Sequence, residues 1–345
     1  MPARDAKRAP HSDQDKDKMK VEIRNKIYKE ATINFWCGVS VFFQDWKARV
    51  DPDVWEKIRQ HESGWVFAYD NYREGDKVRI FRDIGLGDIL FTTPGIREIK
   101  KTGAKVYYTT APRYSPLLKK NPYLDGLNDS EPCNITIDLR RVGMDRDFTN
   151  NRSEEALREM FLNPEGKDKS LVLEMSDESR NFADSVNRLH KGASVLVEYE
   201  ASTGHRTYPY VLDVARKLAN DYTVFITTPY RSLNIKEKGI VDLSGKLNLD
   251  QLIGLVSTVS AIICNDSGTQ YLGEVFKKPT LAIYGDIDPD LRVRYFKNIR
   301  TIFAKNEGIE CSPCNEKFRC ARIPDCLYRI GPERVVNEFN KINAN

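Results

Sequence analysis

The chain has 345 residues, 40% of them hydrophobic and 30% charged, with a formal net charge of +4. That length supports two domains with real cores, and that charge is too small to argue nucleic-acid binding by itself. No apolar run approaches the roughly 18–20 residues needed to span a bilayer.

Residues 1–20 are polar, have no apolar core of a secretory signal, and read as a disordered tail; the default location is the cytoplasm. Residues 21–75 contain a helix-like VEIRNKIYKEA, an aromatic stretch FWCGVSVFFQDW and a helix-like DPDVWEKIRQHES. They carry no chemical motif and are expected to form an accessory cap on the main body. From Lys77 the pattern changes to strands alternating with helices. KVRIF (77–81), AKVYYTT (104–110) and NITIDL (134–139) read as strands, separated by PGIREIKKTG and PRYSPLLKKNPYL. Residues 141–190 are charged and helix-like and are expected to hold the inter-domain connection.

A second series begins at ASVLVEYE (193–200). It continues through helix YPYVLDVARKLAND, strand YTVFITT, strand-like GIVDLSG, helix NLDQLIGLVSTV, strand SAIIC (260–264), the helix after Gly268 and strand TLAIYG (280–285). GPERVVNEFNKI ends it as a helix with Pro in the first turn. Strands spaced by helical patterns predict doubly wound parallel sheets. The expected division is a tail (1–20), an accessory segment (21–75), one Rossmann-like α/β domain (76–185) and a second (186–345).

Two strand–turn–helix junctions carry the chemistry. KVRIF runs into Arg82-Asp83-Ile84-Gly85-Leu86-Gly87-Asp88, and SAIIC runs into Asn265-Asp266-Ser267-Gly268-Thr269. Such a turn presents free backbone N–H groups and the positive end of a helix dipole to an anion. Gly85-Leu86-Gly87 is not a dinucleotide fingerprint, because Leu90 occupies the third small position and the second strand ends in Tyr107-Tyr108-Thr109-Thr110 without an acid; NAD is not expected. No Gly-Lys-Ser/Thr follows, so it is not a P-loop. Asp88 is then either a helix N-cap or a general base at the mouth of the sheet. In the second turn, Asn265, Asp266 and Ser267 are all capping residues. The functional reading has the amides of Ser267, Gly268 and Thr269 facing a diphosphate while Asp266 accepts hydrogen bonds from sugar hydroxyls.

Four of the seven cysteines cluster as Cys311-x2-Cys314-x5-Cys320-x5-Cys326. Four thiolates in that spacing can close tetrahedrally around structural Zn or Fe; disulfides and free thiols are the alternatives. A zinc-knuckle nucleic-acid module lacks its His here, since the histidines are 11, 61, 190 and 205.

The stretches VRIFRDIGLGDILFTTPGIREIKK and DLSGKLNLDQLIGLVSTVSAIICNDSGTQYLGEVFKKPTLAIYGDIDP, with the Cys-rich tail, resemble glycosyltransferase family 9, the ADP-heptose:lipopolysaccharide heptosyltransferase group. The resemblance implies a GT-B fold, two Rossmann-like domains facing a cleft. It makes Asp88 the catalytic base with Gly85 and Gly87 in its turn. It makes Asp266, Ser267, Gly268 and Thr269 the donor turn, and Arg206 of Arg206-Thr207-Tyr208-Pro209 the donor-phosphate contact. Family members with a similar Cys tail, including protein heptosyltransferases with an iron site, favour the metal reading. Two positions depart from the family. Tyr271 stands where a His is usual, and residues 200–204 lack the usual His-Pro-Gly character. The resemblance implies an inverting, metal-independent transfer from a nucleoside-diphosphate sugar, ADP-heptose by family default. The acceptor is a lipopolysaccharide core by default, with a protein hydroxyl or a hydroxylated DNA base as other choices. A homo-oligomer is compatible. A GT-B sugar-nucleotide epimerase and a non-catalytic sugar-nucleotide-binding protein are the rival readings. Asp145-Arg146-Asp147 lies in a polar stretch and Asp288-Pro289-Asp290 reads as a turn, so neither suggests a metal-binding Asp-x-Asp.

Overall fold

The computed structural model describes residues 19–23, 30–35, 40–44, 72–140, 150–315 and 325–343. Two sheets organise them. The first has seven strands in the order β1-β2-β3-β7-β4-β5-β6. β4 (Lys77–Phe81), β5 (Lys105–Thr109), β6 (Gly126–Leu127) and β7 (Ile135–Asp138) run parallel. β1 (Met19–Ile23), β2 (Glu30–Phe35) and β3 (Ser40–Gln44) form an antiparallel meander, and β3 pairs antiparallel with β7.

The expected helix VEIRNKIYKEA is therefore corrected to the end of β1 and the start of β2. The physical reason is in the pattern: Val21-Glu22-Ile23 and Ala31-Thr32-Ile33-Asn34-Phe35 alternate with period two, the period of a strand. The accessory segment is likewise not a separate cap over this stretch. It extends the sheet and covers the edge that β7 would otherwise expose. The helix-like DPDVWEKIRQHES lies outside the described residues.

The second sheet is wholly parallel, in the order β10-β9-β8-β11-β12-β13. Its strands are β8 (Ser194–Glu198), β9 (Thr223–Thr227), β10 (Ile240–Asp242), β11 (Ala261–Asn265), β12 (Thr280–Tyr284) and β13 (Ile299–Phe303). β8, β11 and β12 are buried along their whole length, as strands covered by helices on both faces must be. β13 is an addition to the strands expected from sequence; its apolar residues Ile299, Ile302 and Phe303 make too short a pattern to read alone.

The helices are α1 (Leu86–Lys101), α2 (Arg152–Glu159), α3 (Asp177–Leu189), α4 (Val211–Leu218), α5 (Leu249–Thr258), α6 (Thr269–Val275), α7 (Asp290–Val293), α8 (Asp325–Tyr328) and α9 (Pro332–Asn343). α1 contains Pro94, which removes one donor from the helix and frees the Leu90 carbonyl. The Thr93 hydroxyl donates to that carbonyl at 2.7 Å and accepts from the Val172 amide at 2.8 Å. The Thr-Pro pair thus repairs its own break. α3 packs on α5, with Gly254 of α5 close against the Ser179 carbonyl. The expected boundary between residues 185 and 186 falls inside α3.

The two sheets meet where α1 and α6 begin. A Cβ on Gly87 would stand 2.8 Å from Tyr271 Cε2, and one on Gly268 would stand 2.7 Å from Leu86 Cδ2 and 3.2 Å from Gly87 N. Each turn lacks a side chain where the other turn needs room. Tyr271 fills the gap and packs edge-on against Phe91, with ring centroids 4.7 Å apart. A Gly87→Ala variant should therefore lose about 1–3 kcal/mol of stability through overpacking. Tyr271→Ala in the same chain should recover part of that loss. Thermal or urea unfolding of the single and double variants measures it, and an additive double variant would show that the two positions do not meet.

Candidate functional site

A cleft of about 890 Å³ lies between the two halves. Gly85, Gly87 and Asp88 line it from the first turn, and Asp266, Ser267, Gly268 and Thr269 from the second; Arg206 completes the lining expected from sequence. Parallel α/β sheets bind ligands at the carboxyl ends of their strands, where both turns sit.

Asp88 is not the cap of α1. The cap position is Gly85, at φ 83°, and no side chain bonds there. Asp88 is the third helical residue, and its carboxylate folds back over Gly85, where a Cβ would stand 2.6 Å from Asp88 Oδ2. Gly85 is thus required twice, by its left-handed backbone and by this close approach. Two guanidinium groups hold the carboxylate: Arg82 Nη2 donates to Oδ2 at 2.8 Å and Arg152 Nε to Oδ1 at 3.3 Å. Arg82 is itself fixed to the carbonyls of Leu139 (2.6 Å) and Ile84 (3.1 Å). Arg152 also donates to Glu155 (3.2 Å) and Glu159 (3.0 Å). Burial pushes the Glu159 carboxyl up to about 7, against the pull of Arg152. The Asp88 side chain retains 16% exposure, facing the cleft.

The second turn is organised by a residue that sequence reading missed. Glu198, the last residue of β8, accepts from Ser267 Oγ at 2.8 and 2.7 Å, from Thr269 Oγ1 at 2.6 Å and from the Asn265 amide at 3.1 Å. Burial raises its carboxyl above the ordinary range, and the hydroxyls of Thr269 and Ser267 oppose that shift. The Thr269 amide donates to Ser267 Oγ at 3.2 Å, so it is spent inside the turn and does not point at a ligand as expected. Among the described residues the amides of Ser267 and Gly268 make no hydrogen bond. A signal for Glu198 was present in the sequence as a lone acid at the end of an apolar strand, but nothing local distinguished it from Glu200.

Asn265 does not cap α6. Its Oδ1 accepts from the Tyr208 amide at 2.7 Å and its Nδ2 faces Glu198. That bond ties the Arg206–Pro209 segment to β11 and fixes the base of Arg206. Arg206 reaches Asp266 Oδ2 at 3.8 Å and donates to Thr203 Oγ1 at 2.9 Å. Asp266 Oδ1 accepts from Gln270 at 3.2 Å, while Oδ2 has no hydrogen bond among the described residues. Asp286, just beyond β12, is buried beside them. Burial, then Asp266, push its carboxyl up to about 6, and His205 Nε2 lies 3.3 Å from it.

The Asp-x-Asp at 288–290 is committed to its own turn, since Asp288 Oδ1 accepts from the Asp290 amide at 3.0 Å and Asp290 pairs with Arg294. Asp145-Arg146-Asp147 lies outside the described residues. Cys320 does also. Cys311 is exposed, Cys314 half-buried and Cys326 buried under Gly285, and among the described residues no three His, Cys, Asp or Glu groups converge as metal ligands. The described residues alone do not assemble the expected four-Cys site. Among them, too, no helix is long and apolar enough to cross a membrane.

Residues 159–321 match the model of glycosyltransferase family 9 (heptosyltransferase). The lipooligosaccharide heptosyltransferase 2 of Haemophilus influenzae is 35% identical over 104 residues, and the lipopolysaccharide heptosyltransferase 2 of Escherichia coli K12 is 37% identical over 103. These stretches cover 30% and 29% of this chain, and 30% and 28% of the respective relatives. The chain thus spans under a third of the length of the curated relatives it matches. A glycosyltransferase family 9 structure from Veillonella parvula shares the fold at TM-score 0.65 and 16% identity, over 81% of this chain and 99% of that one. The dodecameric iron-containing heptosyltransferase TibC of enterotoxigenic Escherichia coli, solved with ADP-D-beta-D-heptose, does so at 0.62 and 14%, over 95% and 92%. Two α/β sheets facing a cleft, one wholly parallel and one parallel over β4–β7, are the GT-B architecture expected from sequence. The match over residues 159–321, just under half of the chain, and the heptosyltransferase relatives beside it make glycosyltransferase family 9 the family this chain resembles.

Proposed function

We propose that this protein transfers a heptose or related sugar from a nucleoside-diphosphate donor to an acceptor hydroxyl, with inversion at the anomeric carbon. The observation that carries the reading is the meeting of an oriented carboxylate, Asp88, with the Asp266 turn across one cleft. The acceptor hydroxyl enters from the first-sheet side. Its oxygen attacks the anomeric carbon, its proton passes to Asp88, and the bond from that carbon to the diphosphate oxygen breaks. One displacement inverts the centre. Arg206 and the amides of Ser267 and Gly268 stabilise the charge gathering on the departing diphosphate, while Asp266 receives donor hydroxyls. With the Asp-x-Asp at 288–290 already committed to its turn, fixed cationic groups are the proposed means of stabilising the leaving group. ADP-heptose is the proposed donor, following TibC and the ADP-heptose heptosyltransferase II of Escherichia coli. The proposed acceptor is a lipopolysaccharide-type core, following the names of the curated relatives.

Asp88→Ala and Asp88→Asn should each lower kcat/KM for transfer by about 10²–10⁴-fold, the range for a positioned base. ADP-heptose affinity should change little. Asp88→Asn keeps the shape around Arg82 and Arg152, so it separates lost chemistry from lost packing. Retained turnover in both variants defeats the base assignment. Steady donor consumption without any transferred sugar would favour the epimerase reading.

We also propose that Cys311, Cys314, Cys320 and Cys326 hold a structural Fe or Zn ion. The reading is supported by their spacing and by the iron-containing neighbour TibC. All four thiolates would be ligands, so the ion would brace the loop behind Gly285 and take no part in transfer. Elemental analysis of purified protein should find about one equivalent per chain, lost in a Cys320→Ser variant along with part of the thermal stability. Protein that is metal-free and equally stable rules the ion out.

A further inference from the structure

Arg292 carries the inference. It lies in α7, in the loop that follows β12, is 7% exposed, and lines the cleft. Among the described residues its guanidinium has neither an ion pair nor a hydrogen bond, in contrast with the cations around Asp88. A buried guanidinium without a counter-anion carries a large desolvation cost. Among the described residues nothing else pairs with it, and its access to the cleft offers a partner.

Topology says where that partner sits. β11 lies between β8 and β12 in the second sheet, and Asp266 follows β11. Arg206 is on the loop after β8 and Arg292 on the loop after β12. The two arginines therefore bracket the Asp266 turn at the carboxyl ends of three adjacent parallel strands. Arg292 is also close enough to Tyr271 to act on it electrostatically, as Asp266, Asp88 and Arg152 do. The Asn151 side chain donates to the Asp290 carbonyl at 2.8 Å, so α7 is pinned to the start of α2. That pin holds Arg292 at the junction of the two halves without consuming its charge.

We propose that Arg292 is a second donor-phosphate ligand, clamping the diphosphate from the side of the Asp266 turn opposite Arg206. The assignment rests on the nucleotide-sugar reading above. A planar guanidinium presents paired donors to phosphate oxygens, and such charge-assisted bonds are strong in a water-poor site. As the sugar departs and charge grows on the leaving oxygen, the same bonds strengthen.

The test uses the full-length protein, wild type and the variants Arg292→Met and Arg292→Lys, with ADP, inorganic pyrophosphate and adenosine as probes in calorimetric titrations and thermal shift. Wild type should bind ADP and pyrophosphate. Arg292→Met should bind both at least tenfold more weakly, bind adenosine unchanged, and in the absence of ligand melt at the same temperature or higher, because an unpaired buried cation has been removed. Arg292→Lys should recover part of the affinity. ADP affinity in Arg292→Met equal to wild type overturns the proposal, as does a raised KM for the acceptor with ADP binding intact. So does a ligand-free melting temperature that falls in step with a general loss of adenosine and ADP binding, which marks a packing role. Failure of wild type to bind either anion overturns it too. If Arg292-dependent ADP binding is found but no nucleotide sugar supports transfer, the transferase reading fails and this ligand assignment stands.

Discussion

The contact between the two glycine turns fixes how the starts of α1 and α6 face each other beside the cleft. Gly87 and Gly268 leave space for Tyr271 and Leu86 respectively, and each side group comes from the opposite half. The start of α1, which carries Asp88, and the start of α6, which follows Asp266, are thereby locked in one arrangement. Packed interiors tolerate little change in volume, so the lock is stiff. Tyr271, where the family resemblance leads one to expect a His, packs its buried ring between Phe91 and Phe296, and burial pushes its phenol up.

The sequence made the turns visible, and for one glycine it also made the reason visible. Gly85 needs its left-handed backbone, as a strand-to-helix turn suggests. Gly87 and Gly268 stood out only as glycines of those turns, yet each makes room for a side chain from the other half. That difference depends on two residues far apart in sequence touching, and no local pattern encodes it. β4, β5 and β7 of the first sheet and β8 to β12 of the second were legible because their apolar runs are bounded by turns and separated by helical patterns. The meander β1–β3 was misread because its short alternations are interrupted by charged residues that also suit a helix. Asp88 and Asp266 stood out because they sit in strand-to-helix turns with a recognisable shape, and Arg206 stood out only through the family resemblance. Glu198, Arg152 and Arg292 did not, since an acid at a strand end or an arginine on a helix acquires meaning only from what the fold brings to it. The Thr-Thr-Pro run of α1 belongs between these cases: its residues stood out, but the repair of the Leu90 carbonyl by Thr93 emerges only with the helix built.

Acids and arginines are arranged differently on the two sides. Around Asp88 the cations are matched: Arg82 and Arg152 share that carboxylate, and Arg152 is further braced by Glu155 and Glu159. On the other side, three carboxylates stand at the ends of three neighbouring strands: Glu198 on β8, Asp266 after β11 and Asp286 after β12. Glu198 spends its charge on the hydroxyls of Ser267 and Thr269 and so shapes the turn. Asp266 and Asp286 each keep at least one oxygen without a hydrogen bond among the described residues.

That asymmetry has a mechanistic sense. A proton acceptor works best when its orientation is fixed before the substrate arrives, because no reorganisation is then needed in the transition state. In the proposed role of Asp88 as that acceptor, the two anchored guanidiniums of Arg82 and Arg152 fix its orientation. A site for a mobile diphosphate has the opposite requirement. Its cations must be held in place by backbone and packing contacts while their charge stays available, or the incoming anion would have to displace an internal one. Asn265 fixes the position of the Arg206 segment through the Tyr208 amide, and Asn151 fixes that of the Arg292 loop through the Asp290 carbonyl. Two asparagines from different halves, each bonding main chain, thus hold the two loops whose arginines are proposed to meet the donor.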